Sequence, residues 1–128
     1  MNNVILAIDD NEDFLTMLKD ILDDEGYEVR TLADPGKAEE YIDRYHPDLL
    51  LIDVFMPQRS GFNLLEDFRG KGLYENIPKI FLTCLDDDVE KMTAKACGAG
   101  QYLTKPFRPE ELLKMVKKGL HGESRQAT

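Results

Sequence analysis

Long apolar runs and basic clusters are both missing from this chain. The longest apolar run near its start, Val4–Ile8, has five residues, whereas a membrane span requires roughly 20. We therefore expect a cytosolic protein with no membrane contact. Lys and Arg total 16 against 25 for Asp and Glu, a formal charge of −9, and no basic run contains interleaved aromatics. This acidic balance argues against direct nucleic-acid binding.

Cysteine and histidine are scarce as well. Cys84 and Cys97 fall on different predicted elements and match no metal-binding spacing, so we expect reduced, partly buried thiols with no redox role. His46 precedes a proline at a predicted helix end, and His121 lies in a polar C-terminal tail. Both histidines fit a helix-end position better than a chemical role.

Strand and helix patterns alternate along the 128 residues, which suffice for one domain with a buried core. The predicted strands are Val4–Ile8, Glu28–Leu32, Leu49–Asp53, Lys79–Thr83 and 101–103. The predicted helices start near 12, 36, 62, 86 and 109 and end at Gly26, His46, Gly70, Gly98 and Gly119. Five such units predict a doubly wound α/β domain, a (βα)5 fold of three layers with a parallel sheet. We place the domain at 1–120 and expect a disordered tail at 121–128.

The stretch 49–57, LLLIDVFMP, is the centre of this arrangement. Its four leading apolar residues suit a strand that is covered on both faces. The acid that follows, Asp53, is costly to bury unless a cation pairs with it. We therefore expect Asp53 at the carboxyl edge of the sheet, where open α/β sheets bind ligands.

Other polar residues also follow strands and should meet Asp53 at this edge. They are Asp9, Asp10, Thr83 and Lys105. Two carboxylates about 4 Å apart repel by roughly 4 kcal/mol at an effective dielectric near 20. A hard divalent cation would offset this repulsion, and Mg²⁺ binds one or two carboxylates while leaving positions for phosphate oxygens. With a lysine and a hydroxyl nearby, the set indicates phosphoryl transfer to a carboxylate.

These residues resemble one family closely, the receiver domains of two-component response regulators. The resemblance covers 4–120. It rests on Asp9-Asp10, Asp53 followed by Met56-Pro57 and Gly61, Thr83, and Tyr102 with Lys105-Pro106. It implies the flavodoxin-like strand order 2-1-3-4-5. It also implies a signalling phosphoacceptor that catalyses only its own phosphoryl transfer and dephosphorylation.

The resemblance assigns a role to each acid. Asp53 would accept a phosphoryl group from the phosphohistidine of a sensor histidine kinase or phosphotransfer protein. Asp10, Asp53 and the backbone carbonyl of Phe55 would coordinate Mg²⁺, and Asp9 would hold a water of the metal. Lys105, across a cis bond to its proline, would pair with the phosphoryl oxygens.

The resemblance also implies how a signal leaves the site. Thr83 would move to the phosphoryl group, and Tyr102 would turn inward behind it. The surface of the predicted fourth helix, fifth strand and fifth helix would then change. We expect an effector protein, an output domain or a second copy of the chain to bind there, around Lys91, Lys95, Tyr102 and Lys114.

Five positions distinguish this chain from the common pattern or bear on the lifetime of the phosphoryl group. Gly100-Gln101 stands where acids are frequent, and Cys84 stands where Ala or Gly is usual, so that it could narrow access to the site. Phe55 and Leu85, two places after Asp53 and Thr83, cannot orient a water by hydrogen bonding. We therefore expect a long-lived phosphoryl state.

Three other classes of protein share part of this pattern. A phosphatase of the haloacid dehalogenase type would need an acid where this chain has Phe55, and a flavodoxin-like carrier would need a phosphate-binding loop where Asp9-Asp10 would repel phosphate. A receiver-like docking module that works without phosphorylation stays open, although the complete set of acids, hydroxyl and lysine argues against it.

Overall fold

The computed structural model describes residues 3–57, 59–84, 92–93 and 99–121. Its strands are β1 Val4–Ile8, β2 Glu28–Leu32, β3 Leu49–Asp53, β4 Lys79–Thr83 and β5 Gln101–Thr104. Its helices are α1 Glu12–Asp24, a 3-10 turn Pro35–Lys37, α2 Ala38–Tyr45, α3 Gly61–Gly70 and a C-terminal helix Pro109–Leu120. Of the predicted fourth helix, only Met92 and Thr93 belong to the described residues, and both are helical.

The five strands form one parallel sheet in the order β2-β1-β3-β4-β5. This is the strand order that the resemblance implied, so the predicted topology is confirmed. The central strand β3 is buried along its whole length, as expected for a strand covered on both faces. The sheet therefore holds Asp53 at the end of a fully buried strand.

Alternate residues of each strand point to opposite faces of the sheet and pack into two separate cores. The sheet and the helices on its two faces form the three predicted layers. On one face, Leu50, Ile52 and Phe81 pack with residues of α2 and α3. On the other face, Leu49, Leu51 and their neighbours pack with α1 and the C-terminal helix. No helix in the described part of the chain is long and apolar enough to cross a membrane.

The helix ends confirm most of the predicted boundaries. Asn11 caps α1, because its side-chain oxygen accepts a hydrogen bond from the Phe14 backbone N–H at 3.0 Å. Asp10 is therefore not the cap of this helix. Gly26 follows the helix with a φ of +91°, and His46 ends α2 with a φ of 48°, both in the left-handed region typical of helix C-termini.

Gly119 does not end the C-terminal helix as predicted, because the helix continues to Leu120. A Cβ at Gly119 would lie 2.8 Å from Leu49 Cδ1 and 3.3 Å from Gln101 Nε2. The glycine therefore allows the helix to approach the sheet closely. The strand β5 likewise runs one residue further than predicted, to Thr104.

The expectation of partly buried thiols is wrong for Cys84, which is exposed. It follows the last residue of β4 and so lies beyond the layers that bury Thr83 completely. Cys97 lies outside the described residues, as do Leu85, Lys91 and Lys95. The predicted tail 121–128 is described only at His121.

Candidate functional site

The parallel sheet brings the predicted polar residues to one edge. Asp53 and Thr83 are the last residues of β3 and β4, while Asp9 and Lys105 each follow the end of a strand. Lys105 Nζ lies 3.0 Å from Asp9 Oδ2 and 3.3 Å from Asp53 Oδ1. Carboxylate oxygens of Asp9, Asp10 and Asp53 lie within 4.8 Å of one another. The predicted acidic cluster and its lysine are thus assembled.

The two acids after β1 have different surroundings. Asp9 is 1% exposed, and both of its carboxylate oxygens accept hydrogen bonds, one from the Asn11 backbone N–H at 2.9 Å and one from Lys105. Asp10 is exposed. Asp9 is therefore held by the protein, whereas Asp10 faces the solvent side of the cluster.

Asp53 is 6% exposed, and its pKa is raised to about 6. Burial is the main cause, and the negative charges of Asp9 and Asp10 add to it. Lys105 lowers the pKa through its charge and its hydrogen bond without cancelling the rise. Lys105 therefore compensates only part of the cost of ionising Asp53, and a bound cation would stabilise the ionised carboxylate further.

The loop after β3 is fixed by the backbone at both ends. Val54 N–H donates to Leu82 O at 2.9 Å, and Gly61 N–H donates to Val54 O at 2.8 Å. A Cβ at Gly61 would lie 2.6 Å from Asp53 O and 3.0 Å from Phe81 Cε1. Gly61 thus lets α3 start directly against Asp53. The sequence showed this glycine as the start of a helix but not as a close contact.

Two side chains of this loop take opposite directions. Met56 is buried in the core formed with α3, whereas Phe55 is 48% exposed. Phe55 thus presents an apolar ring to solvent two residues after Asp53. The backbone carbonyl of Phe55 lies in the loop that connects Asp53, at the end of β3, to α3.

Lys105 is held by its own backbone and by an aromatic ring. Its N–H donates to Thr83 O at 2.6 Å, and the bond to Pro106 is cis, as the resemblance implied. Lys105 Nζ lies 4.0 Å from the centroid of the Phe14 ring. The sequence indicated Phe14 only as a member of the apolar repeat of α1, so this contact was missed.

Thr83 and Tyr102 lie on neighbouring strands. In the register of β4 and β5, Phe81 is opposite Tyr102, and Thr83 is opposite Thr104. Residues two apart on a strand share a face, so Thr83 shares a face with Phe81 and Tyr102. Tyr102 is half-buried there against the core formed with α3. The structure therefore places the two predicted switch residues next to each other, outside the acidic cluster itself.

The donor set suits a hard cation. Carboxylate oxygens are the protein ligands that Mg²⁺ prefers, and Mg²⁺ usually retains several waters. The cluster offers oxygens from three acids with one of them exposed, so an ion can bind while part of its shell stays open. The residues present therefore fit Mg²⁺.

The chain matches the family model described as the response regulator receiver domain over residues 5–117. It is 35% identical over 117 residues to the alkaline phosphatase synthesis transcriptional regulatory protein PhoP of Bacillus subtilis, covering 91% of this chain and 48% of PhoP. It is 37% identical to the regulatory protein VanR of Enterococcus faecium, covering 91% of this chain and 49% of VanR. The chain thus spans about half the length of these curated relatives.

Solved structures show the same fold. The chemotaxis protein CheY4 of Vibrio cholerae superposes with a TM-score of 0.88 and 35% identity, covering 94% of this chain and 100% of CheY4. The BeF3-activated N-terminal receiver domain of RstA from Klebsiella pneumoniae gives a TM-score of 0.83 and 30% identity, covering 92% of this chain and 98% of that domain. The likeness thus extends over more than nine-tenths of the chain.

Proposed function

The chain belongs to the family of response regulator receiver domains, and we propose that Asp53 is its phosphoacceptor. Phosphorylation on an aspartate is general in this family. One observation carries the assignment to Asp53: its carboxylate ends the central strand, lies 3.3 Å from Lys105 Nζ, and shares a cluster with two other acids. The donor would be the phosphohistidine of a sensor kinase or phosphotransfer protein.

In the transfer, an Asp53 oxygen attacks the phosphorus as the N–P bond of the donor breaks. The bonding pair stays with the imidazole, and Asp53 becomes an acyl phosphate. Lys105 balances the negative charge on the transferred oxygens, because its ammonium already lies between Asp9 and Asp53. Catalysis of this kind depends mainly on position and charge, so the chain needs no further catalytic base.

The acids divide into ligands and supporting groups for Mg²⁺, which receiver domains typically bind at an acidic pocket. Bound Mg²⁺ would supply positive charge to the phosphoryl oxygens. Asp10, Asp53 and the Phe55 carbonyl would be its ligands. Asp9 would hold a metal-bound water, since both of its oxygens already accept hydrogen bonds from the protein. The exposed position of Asp10 favours it as the direct ligand.

The signal would leave through Thr83 and Tyr102. Thr83 ends its strand at the acidic edge, and Tyr102 lies on the adjoining strand and the same face. A phosphoryl group that draws the Thr83 hydroxyl inward would make space for Tyr102. The output surface would then comprise the fourth helix, β5 and the C-terminal helix, where Lys114 is exposed, and would bind an effector or a second copy in the cytoplasm.

Hydrogen exchange tests this route. On phosphorylation, exchange should change in β5 and the C-terminal helix. Changes confined to α2 and α3 would contradict the proposed output surface, and Asp53→Asn treated with the same phosphodonor is the control.

Intact mass after treatment with a small-molecule phosphodonor and Mg²⁺ tests the phosphoacceptor. The native chain should gain one phosphoryl mass, and Asp53→Asn should gain none. Asp20→Asn, which makes the same change at an exposed position of α1, should label like the native chain. Equal labelling of native chain and Asp53→Asn would refute the site, and no labelling of either would favour a docking module independent of phosphate.

A further inference from the structure

Lys105 is the part of the site that most needs to be held in place. A lysine side chain has four rotatable bonds along its four-carbon chain, and ordering them costs conformational entropy. Among the residues that the structure describes, the ammonium contacts three groups: Asp9 at 3.0 Å, Asp53 at 3.3 Å and the Phe14 ring, whose centroid is 4.0 Å away. Asp53 is the nucleophile in the proposed function, so its carboxylate changes during the reaction. The other two neighbours do not.

The ring itself is fixed by a second ring. Phe14 packs edge-to-face against Phe107, with centroids 6.0 Å apart and planes at 73°. Phe107 lies two residues after Lys105, so the same chain segment supplies the ammonium and supports its aromatic partner. Phe14 comes from the first turns of α1. The pair therefore joins α1 to the segment after β5.

An aromatic ring supplies an attraction that a further acid cannot. A ring face attracts a cation within about 6 Å, and more strongly where water is partly excluded. The Lys105 side chain is 22% exposed, so the contact is partly desolvated. A carboxylate at position 14 would also attract Lys105, but it would add a fourth negative charge to a self-repelling cluster. Phe14 avoids that cost because it carries no formal charge.

We infer that Phe14 is a positioning residue that keeps the Lys105 ammonium between Asp9 and the reacting oxygen of Asp53. The inference rests on the proposed function for its effect on rate, but the position of Lys105 can be measured without phosphorylation. Phe14 touches neither donor nor metal in this proposal and acts only through Lys105.

Three variants separate the effect of the aromatic ring from the effect of a bulky apolar side chain. Phe14→Leu keeps an apolar side chain without a ring, and Phe14→Tyr keeps the ring. Phe62→Leu is the matched control, because Phe62 is also a partly buried ring in an edge-to-face pair, 5.0 Å from Phe81. The rate of phosphoryl uptake from a small phosphodonor at saturating Mg²⁺ is measured by intact mass. The Cε–Hε signals of Lys105 are measured by NMR in the unphosphorylated chain.

Phe14→Leu should slow uptake by about three- to tenfold, the range expected from one cation–π contact. Phe14→Tyr and Phe62→Leu should stay within about twofold of the native rate. The Lys105 signals should be shifted upfield by the ring in the native chain and in Phe14→Tyr, and should lose that shift in Phe14→Leu. The Phe62→Leu variant should keep it.

The inference fails if Lys105 shows no ring-dependent shift, or if Phe14→Tyr is as slow as Phe14→Leu. These outcomes can be distinguished from a failure of the proposed function. If the native chain and Asp53→Asn label equally, Asp53 is not the acceptor, and the NMR signals still report whether Phe14 holds Lys105.

Discussion

Two largely buried lysines at opposite edges of the same sheet have opposite surroundings. Lys105, at the carboxyl edge, meets two carboxylates and a ring. Lys79, at the amino edge, is 7% exposed and donates to the carbonyl oxygens of Tyr74 at 2.6 Å and Ile77 at 2.8 Å. Backbone carbonyls have a fixed charge, whereas carboxylates can bind a proton, a metal or a phosphoryl group. Lys79 can therefore only hold a loop in place. The interactions of Lys105, by contrast, change when a neighbouring carboxylate binds a proton, a metal or a phosphoryl group.

The pKa of Lys79 reflects its buried position. Burial lowers the pKa of Lys79, and the nearby charge of Glu75 partly opposes the effect. The loop that Lys79 holds includes Tyr74 with a φ of +61°, a conformation that non-glycine residues seldom adopt. Two charge-assisted hydrogen bonds from one ammonium help to keep it there. We therefore expect Lys79 to stabilise the fold, and we propose that Lys105 acts in phosphoryl transfer.

Replacing each lysine by methionine should separate the two roles most strongly. Lys105→Met should slow phosphoryl uptake by about a hundredfold, as for the loss of one group that stabilises developing negative charge. Lys79→Met should leave uptake of the folded chain within about twofold. It should lower the free energy of unfolding by about 1–3 kcal/mol, because two partly buried carbonyls lose their donor.

Uptake assays and urea denaturation of the two variants check this contrast. A Lys79→Met variant that is as stable as the native chain would remove the structural role. A Lys105→Met variant that labels at the native rate would remove the functional one.

The pH dependence of stability should report the raised pKa of Asp53. The Asp53 pKa is about 6 in the folded chain, above its ordinary 3.8. Between about pH 4 and pH 6 the folded chain therefore binds more protons than the unfolded chain. The free energy of unfolding in chelator should fall as pH rises through this window and level off above it. The fall should be at most about 2 kcal/mol, since solvent at the edge screens part of the effect.

Asp53→Asn is the control for this measurement, because an amide does not titrate. Its urea unfolding should lack the fall that the native chain shows between pH 4 and pH 6. If the free energy of unfolding changes with pH equally in both proteins, another group is responsible and the pKa of Asp53 is not raised.

The lifetime of the phosphoryl group should depend on the exposed ring beside the site. Phe55 cannot hydrogen-bond a water, and its apolar surface lies two residues from Asp53. Phe55→Asn should therefore shorten the lifetime by about threefold or more, because an amide can orient the attacking water. Loss of the added mass is followed after the donor is removed.

Leu85→Glu, alone and combined with Phe55→Asn, extends this test to the second position whose side chain cannot orient a water by hydrogen bonding. Decay in the native chain that is no slower than in the double variant would show that these side chains do not control access.

Asp10→Asn should give the smallest effect. Removing one charge from the cluster should raise the melting temperature in chelator by about 1–4 °C. The structure supports this direction, because Asn11 and not Asp10 caps α1. Mg²⁺ should then stabilise the native chain more than the variant. A lower melting temperature for Asp10→Asn in chelator would contradict the repulsion argument.

The features that follow from strand ends could be predicted from the sequence. Asp53 and Lys105 each stand where an apolar β run stops, and a parallel sheet leaves such residues few positions other than one shared edge. The resemblance then supplied the strand order and the role of each acid. The sheet, the acidic cluster and the cis bond after Lys105 were therefore anticipated.

Contacts between distant side chains could not be predicted in this way. Phe14 belongs to the ordinary apolar repeat of α1, and only the assembled fold shows that its ring lies under Lys105. Gly119 looked like a helix stop because glycine often is one, but here it allows close packing on Leu49. Lys79 looked like the polar start of a strand, and nothing local showed that a loop would bury it. Cys84 was misjudged because burial stops abruptly at the end of β4.

The most direct test of the central claim is to locate the phosphoryl group on the chain. Borohydride reduces an acyl phosphate to an alcohol, which marks the modified acid for peptide mass mapping after treatment with phosphodonor and Mg²⁺. We predict that the mark is found at Asp53 alone. A mark at Asp9 or Asp10, or no mark on a chain that has gained phosphoryl mass, would contradict the account.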